Sequence, residues 1–92
     1  MITLYSKPSC PYCDRAEDYL KRNNFTFKKV DVTEDAKALE FIKNKGHKTV
    51  PQIYLDNRLL VEGGYDGLKA LQPTDLTLRI QQYANGKNNF QL

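Results

Sequence analysis

Apolar and polar positions alternate at the start of the chain and then change period. Ile2-Thr3-Leu4-Tyr5 alternates with period two and predicts a strand. Ser6-Lys7-Pro8-Ser9 reads as a loop. From Pro11, the residues Cys13, Ala16, Tyr19 and Leu20 recur at three- and four-residue steps and predict an amphipathic helix, which Asn23-Asn24 ends. Proline suits the first helical turn, where its missing N–H costs nothing. Phe25-Thr26-Phe27 and Val30-Asp31-Val32 both alternate, one position out of phase, so a bulge or a late strand start is expected near Lys28-Lys29. Thr33-Glu34-Asp35-Ala36 reads as a helix start with Asp31 or Thr33 as its cap. Ala36, Leu39 and Ile42 are the expected buried face and Gly46 the stop.

Two alternating runs, Pro51 to Leu55 and Arg58 to Val61, flank Asp56-Asn57 and predict a β-hairpin. Gly63-Gly64 breaks the second run. A short helix is expected from about Tyr65 to Leu71, interrupted by Pro73. Leu76, Ile80, Tyr83 and Ala84 mark a final helix closed by Asn85-Gly86, and residues 87–92 are expected to form a frayed tail. The order is β-α-β-α-β-β-α with an extra C-terminal helix. Right-handed crossover makes the first two strands parallel, and the hairpin adds two antiparallel strands. The fold class is therefore α/β, a four-stranded mixed sheet flanked by helices.

Ninety-two residues accommodate one domain, taken as 1–92. The formal charge of +3 is mild and the basic residues are scattered, with no arginine-rich block, so nucleic acid is not an expected partner. No apolar run is long enough to cross a bilayer, and no membrane partner is expected. The N-terminus lacks a basic region followed by a long apolar stretch, so a cytoplasmic location is expected.

The chemistry concentrates in Cys10-Pro11-Tyr12-Cys13, which holds the only two cysteines. Two thiols at this spacing can close a small disulfide ring. At a helix start the first thiol's pKa falls, because backbone N–H groups and the helix dipole favour an anion there. The competing reading is half of a zinc site, which needs four ligands and finds only His47 as a further soft donor. A dimer sharing two pairs, or an iron–sulfur cluster, would supply the rest.

Together with Thr49-Val50-Pro51 and Gly63-Gly64-Tyr65-Asp66, in this order and spacing, the CPYC motif resembles the glutaredoxin family over roughly residues 1–72. The resemblance implies a thioredoxin fold, glutathione as reductant and co-substrate, and the plain dithiol type of bacterial or phage glutaredoxins. It implies a monomer with no metal, because Pro11 and Cys13 depart from the pattern of cluster-carrying members. Cys10 is the implied nucleophile and Cys13 the resolving thiol, the two forming the redox-active disulfide. The implied potential is about −200 to −230 mV. The implied glutathione contacts are Lys7, Tyr12, Lys48, Thr49, Val50, Pro51, Gly64, Tyr65 and Asp66. Of these, Pro51 is the expected cis-proline, Val50 offers backbone groups to an extended peptide, Asp66 faces the γ-glutamyl end, and Lys7 or Lys48 faces the glycine carboxylate. Tyr65 stands where many relatives have a small residue, and Ala38 stands where some carry glutamine. Protein clients with disulfides, ribonucleotide reductase among them, are implied partners. The alternatives are a redoxin recycled by thioredoxin reductase, or a cluster-binding or non-enzymatic module.

Overall fold

The computed structural model describes residues 1–88. Its elements are β1 (Ile2–Ser6), α1 (Pro11–Arg22), β2 (Phe27–Asp31), α2 (Ala36–Asn44), β3 (Gln52–Leu55), β4 (Arg58–Val61), α3 (Gly64–Lys69) and α4 (Pro73–Asn88). The strands form one sheet in the order β2-β1-β3-β4, with β1 and β2 parallel and the other neighbours antiparallel. This is the expected four-stranded mixed sheet.

The pleat of β1 divides the interior. Ile2 and Leu4 point into a core shared with Ala16, Tyr19 and Leu20 of α1, Leu68 of α3 and Leu76 of α4. Tyr5 points to the other face, where Val32, Ala38 and Ile42 form a second, smaller core under α2. A strand has period two, so one strand serves both cores. The β3–β4 hairpin turns at Asp56-Asn57, with Asp56 at φ 54°, and its register shifts between Ile53 and Tyr54.

The second strand starts late, at Phe27, one of the two expected arrangements, and Phe25 only packs against the core edge. Other expectations are corrected. Asp31 and Thr33 do not cap α2. Asp31 instead closes a local turn, accepting from the Thr33 N–H at 2.8 Å and its hydroxyl at 2.6 Å. The helix therefore starts later, where Asp35 accepts from the Ala38 N–H at 3.0 Å. Its buried residues are Ala38 and Ile42, one turn apart on the face toward the sheet, while Leu39 is only partly covered and Ala36 is exposed. The short helix spans Gly64–Lys69 rather than 65–71, because Leu71 N–H folds back onto the Leu68 carbonyl and Pro73 opens the next helix.

The last correction concerns the C-terminus. Asn85-Gly86 does not end α4, which continues to Asn88, so residues 87–88 are helical and the rest of the expected tail lies outside the described residues. The helix is secured upstream. Asp75 accepts from the Gln72 N–H at 3.1 Å, Leu76 is fully buried, and Arg79 donates to the Leu60 carbonyl at 3.0 Å. Ala84, one of the positions that mark this helix in the sequence, is helical and exposed.

Candidate active site

The two cysteines meet at the first turn of α1. Ser9 adopts φ 57°, which brings the chain sharply into Cys10, the N-cap residue, with Pro11 in the first helical position. Cys10 and Cys13 are bonded as a disulfide, their Cα atoms 5.2 Å apart. The Cys13 N–H donates to Cys10 Sγ at 3.2 Å, the contact a side-chain oxygen makes at an ordinary helix cap. When the bond is reduced, this N–H and the positive end of the helix dipole face the Cys10 sulfur and favour its thiolate. Both cysteines are buried, Cys10 6% exposed and Cys13 2%, so Cys10 is the more accessible residue of the pair.

Beside the disulfide, the Val50–Pro51 bond is cis, as expected. Cys10 Sγ lies 4.0 Å from the Val50 carbonyl oxygen. The ladder with β1 begins at the Tyr5–Gln52 pair, so Val50 lies beyond it. Gln52 anchors this turn: its buried amide donates to the Thr49 carbonyl at 2.9 Å. The sequence shows Gln52 only as a strand residue. Nothing in the alternating run shows that both faces of β3 are buried, which is what obliges the amide to find a partner.

A cleft of about 550 Å³ opens from this turn. Tyr12, Thr49, Val50, Pro51, Gly64, Tyr65 and Asp66 all line it, so seven of the nine expected contacts converge. Gly63 and Gly64 carry φ 85° and 59°, and a Cβ on Gly64 would stand 3.0 Å from the Pro51 carbonyl oxygen. Glycine thus brings the start of α3 against the cis-proline turn. Tyr12 is 53% exposed, its ring centroid 6.3 Å from that of Tyr65, and the pair forms one wall. Asp66 is exposed, and Lys69 stands 3.8 Å from its carboxylate. Glu62 and His47, which sequence reasoning did not place at the site, also line the cleft.

Lys7 and Lys48 are not in that cleft. With Lys43 they rim a second groove of about 280 Å³, floored by Val32, Leu39, Ile42 and Val50. Thr49, Val50 and His47 line both spaces. The two are therefore neighbours across one turn, acidic on one side and basic on the other, with Cys10 Sγ beside the shared Val50. Ala38 is buried in the core under α2, not offered to this groove. Among the described residues no three of His, Cys, Asp and Glu gather as a metal-binding group.

Comparison with known proteins agrees with this geometry. A family model described as Glutaredoxin matches residues 2–60. The chain belongs to the glutaredoxin family. It is 39% identical over 71 residues to Glutaredoxin 3 of Escherichia coli K12, covering 76% of this chain and 83% of that protein. It is 40% identical over 75 residues to Glutaredoxin 1 of Rickettsia prowazekii, covering 77% and 76%. The solution structure of a glutaredoxin from Brucella melitensis superposes with a TM-score of 0.66 at 31% identity, over 87% of this chain and 89% of that one. The NrdH-redoxin of E. coli shares the fold, with a TM-score of 0.64 at 18% identity over 84% and 91%. The thioredoxin-like fold of this glutaredoxin thus carries its cysteine pair at the usual helix start.

Proposed function

We propose that this glutaredoxin is a glutathione-dependent thiol–disulfide oxidoreductase. The observation that carries the reading is the charge arrangement across the Val50 turn. Glutathione bears an ammonium group at its γ-glutamyl end, a thiol in the middle and a carboxylate on its glycine. The site presents Asp66 and Glu62 in one space, Lys7, Lys43 and Lys48 in the next, and the Cys10 sulfur beside the backbone between them. An extended peptide pairing with Val50 in β fashion would span all three.

The chemistry follows from the two sulfurs. The Cys10 thiolate attacks one sulfur of a client disulfide. The client S–S bond breaks, a Cys10 mixed disulfide forms, and the other client sulfur leaves as thiolate. Cys13 then loses its proton and attacks Cys10 Sγ, which releases the second client thiol and closes the Cys10–Cys13 bond. One glutathione thiolate reopens that bond at Cys10, and a second attacks the resulting mixed disulfide. The products are oxidised glutathione and the Cys10 thiolate, so two electrons pass from two glutathiones to one client disulfide. A glutathionylated client needs only Cys10. The proposed setting is the cytoplasm, where thiols are kept reduced. The proposed form is a monomer, and its clients include disulfide-bearing enzymes of the ribonucleotide reductase kind.

The test is NADPH-coupled reduction of a glutathione mixed disulfide with glutathione and glutathione reductase, run beside thioredoxin reductase. Turnover in the glutathione system that is lost in Cys10→Ser is the expected result. Turnover with thioredoxin reductase alone would overturn the glutathione reading and leave a redoxin on the same fold.

A further inference from the structure

A third space shares His47 and Leu59 with the cleft beside the disulfide. It measures about 430 Å³ and is lined by Lys45, His47, Tyr54, Asn57, Arg58, Leu59 and Tyr83. The hairpin turn supplies Asn57 and Arg58, the segment after α2 supplies Lys45 and His47, and α4 supplies Tyr83. Tyr83 is the one lining residue that lies beyond residues 2–60, the stretch that the family model matches.

The lining has one sign of charge. Two permanent cations and a histidine face the space, and no carboxylate lines it among the described residues. The cations are not spent on ion pairs. Arg58 lies 4.2 Å over the Tyr83 ring and Lys45 5.5 Å over the Phe41 ring, and neither has an ion-pair partner among the described residues. The neighbouring acid, Asp56, faces the N-terminal ammonium at 3.5 Å. The inner wall is rigid and polar: Tyr54, 2% exposed, has its hydroxyl 2.6 Å from His47 Nε2. Tyr83 is held by its hydroxyl, which donates to the Leu59 carbonyl at 3.3 Å. Aromatic faces thus hold a guanidinium and an ammonium at the edge of a polar pocket with their donors uncommitted to any carboxylate. A guanidinium fork and an ammonium are the groups that bind phosphate, one bidentate and one as a point charge.

We propose that this pocket binds a phosphate-bearing small molecule, held by Arg58 and Lys45 with Asn57 and His47 as further polar contacts. The site is independent of the redox reading, since nothing in it uses the cysteines. Its ligand would nonetheless be felt at the redox cleft, because His47 and Leu59 line both spaces.

The experiment is a titration of the full, oxidised chain with inorganic phosphate, and separately with phenyl phosphate, followed by amide and side-chain NMR at constant ionic strength. Saturable shifts at Lys45, His47, Arg58 and Tyr83 are expected, while Lys28 and Lys37 on other surfaces stay still. Arg58→Gln combined with Lys45→Gln should weaken binding about tenfold, as loss of charge-assisted contacts to phosphate demands. Lys45→Gln alone, which leaves the Arg58–Tyr83 contact in place, should weaken it by a smaller factor. A saturable response to phenyl phosphate but not to phosphate would assign the pocket to a phosphate monoester rather than to the free ion. Equal shifts with acetate, shifts spread over all surface lysines, or binding unchanged in both variants would each overturn the proposal.

Discussion

At the scale of single residues, the disulfide separates the roles of its two halves. Cys10 caps a helix with its sulfur and Cys13 supplies the N–H that meets it. Cys13→Ser should therefore abolish dithiol reduction of protein disulfides yet retain turnover of a glutathione mixed disulfide, and parallel assays of the two substrates check this. The Asp66 carboxylate, proposed to meet the glutathione ammonium, is shared with Lys69 at 3.8 Å. Removing the competitor should help. Lys69→Gln is expected to lower KM for glutathione about two- to threefold with kcat unchanged, the size an exposed ion pair supports. A higher KM would mean that Lys69 assists binding. Motif positions were legible because thiols, glycines and a proline each have few structural uses. Gln52, Glu62 and His47 were not, since their placement follows from the path of the chain around the cis-proline turn and the cleft beside it.

At the scale of elements, backbone proximity decides the most. Helix α3 approaches the end of β4 so closely that a Cβ on Gly67 would stand within bonding range of the Glu62 carbonyl oxygen. Gly67→Ala should destabilise the fold by about 3 kcal/mol, the upper range for overpacking, and chemical denaturation measures it. The cap of α2 makes a smaller case. Asp35→Ala removes the acceptor of the Ala38 N–H and should cost about 1 kcal/mol, whereas Thr33→Ala should cost little, because Thr33 does not cap the helix. Strand and helix types were readable from period two and period 3.6 alone. The α2 cap was not, because three nearby side chains can each accept a backbone N–H and only the path of the chain selects one.

At the scale of the whole molecule, α1 is tied to the edge strand through Glu17. Lys29 of β2 and Lys21 one turn along α1 both reach its carboxylate, at 3.1 and 3.2 Å. The Lys29 contact first, and Lys21 beside it, hold the Glu17 carboxyl below its usual value of 4.5. A carboxyl with a lowered folded-state pKa stabilises the fold fully above 4.5, and that stability is lost as pH falls from 4.5 through the folded value. Glu17→Gln should therefore lower the midpoint of thermal unfolding at pH 7 and flatten the loss of stability below pH 4.5. Among the described side chains of helix α4, Leu76 is fully buried, Ile80 and Tyr83 pack against the core, and several polar contacts add to them. Leu76→Ala should cost about 2–5 kcal/mol, as for other large-to-small core changes, and loosen Tyr83 from the hairpin with it.

The sequence alone determined the element order, the mixed sheet, the helix-start position of the cysteines and the glycine and proline turns around them. These depend on interactions within a few residues, where hydrophobic period, backbone freedom and capping leave few choices. Tertiary structure decided how those turns meet. It placed seven of the expected contacts together in one cleft, put Lys7 and Lys48 in a separate groove, and buried Ala38. Each of these depends on residues far apart in sequence reaching the same side of one sheet, and local pattern carries no information about that.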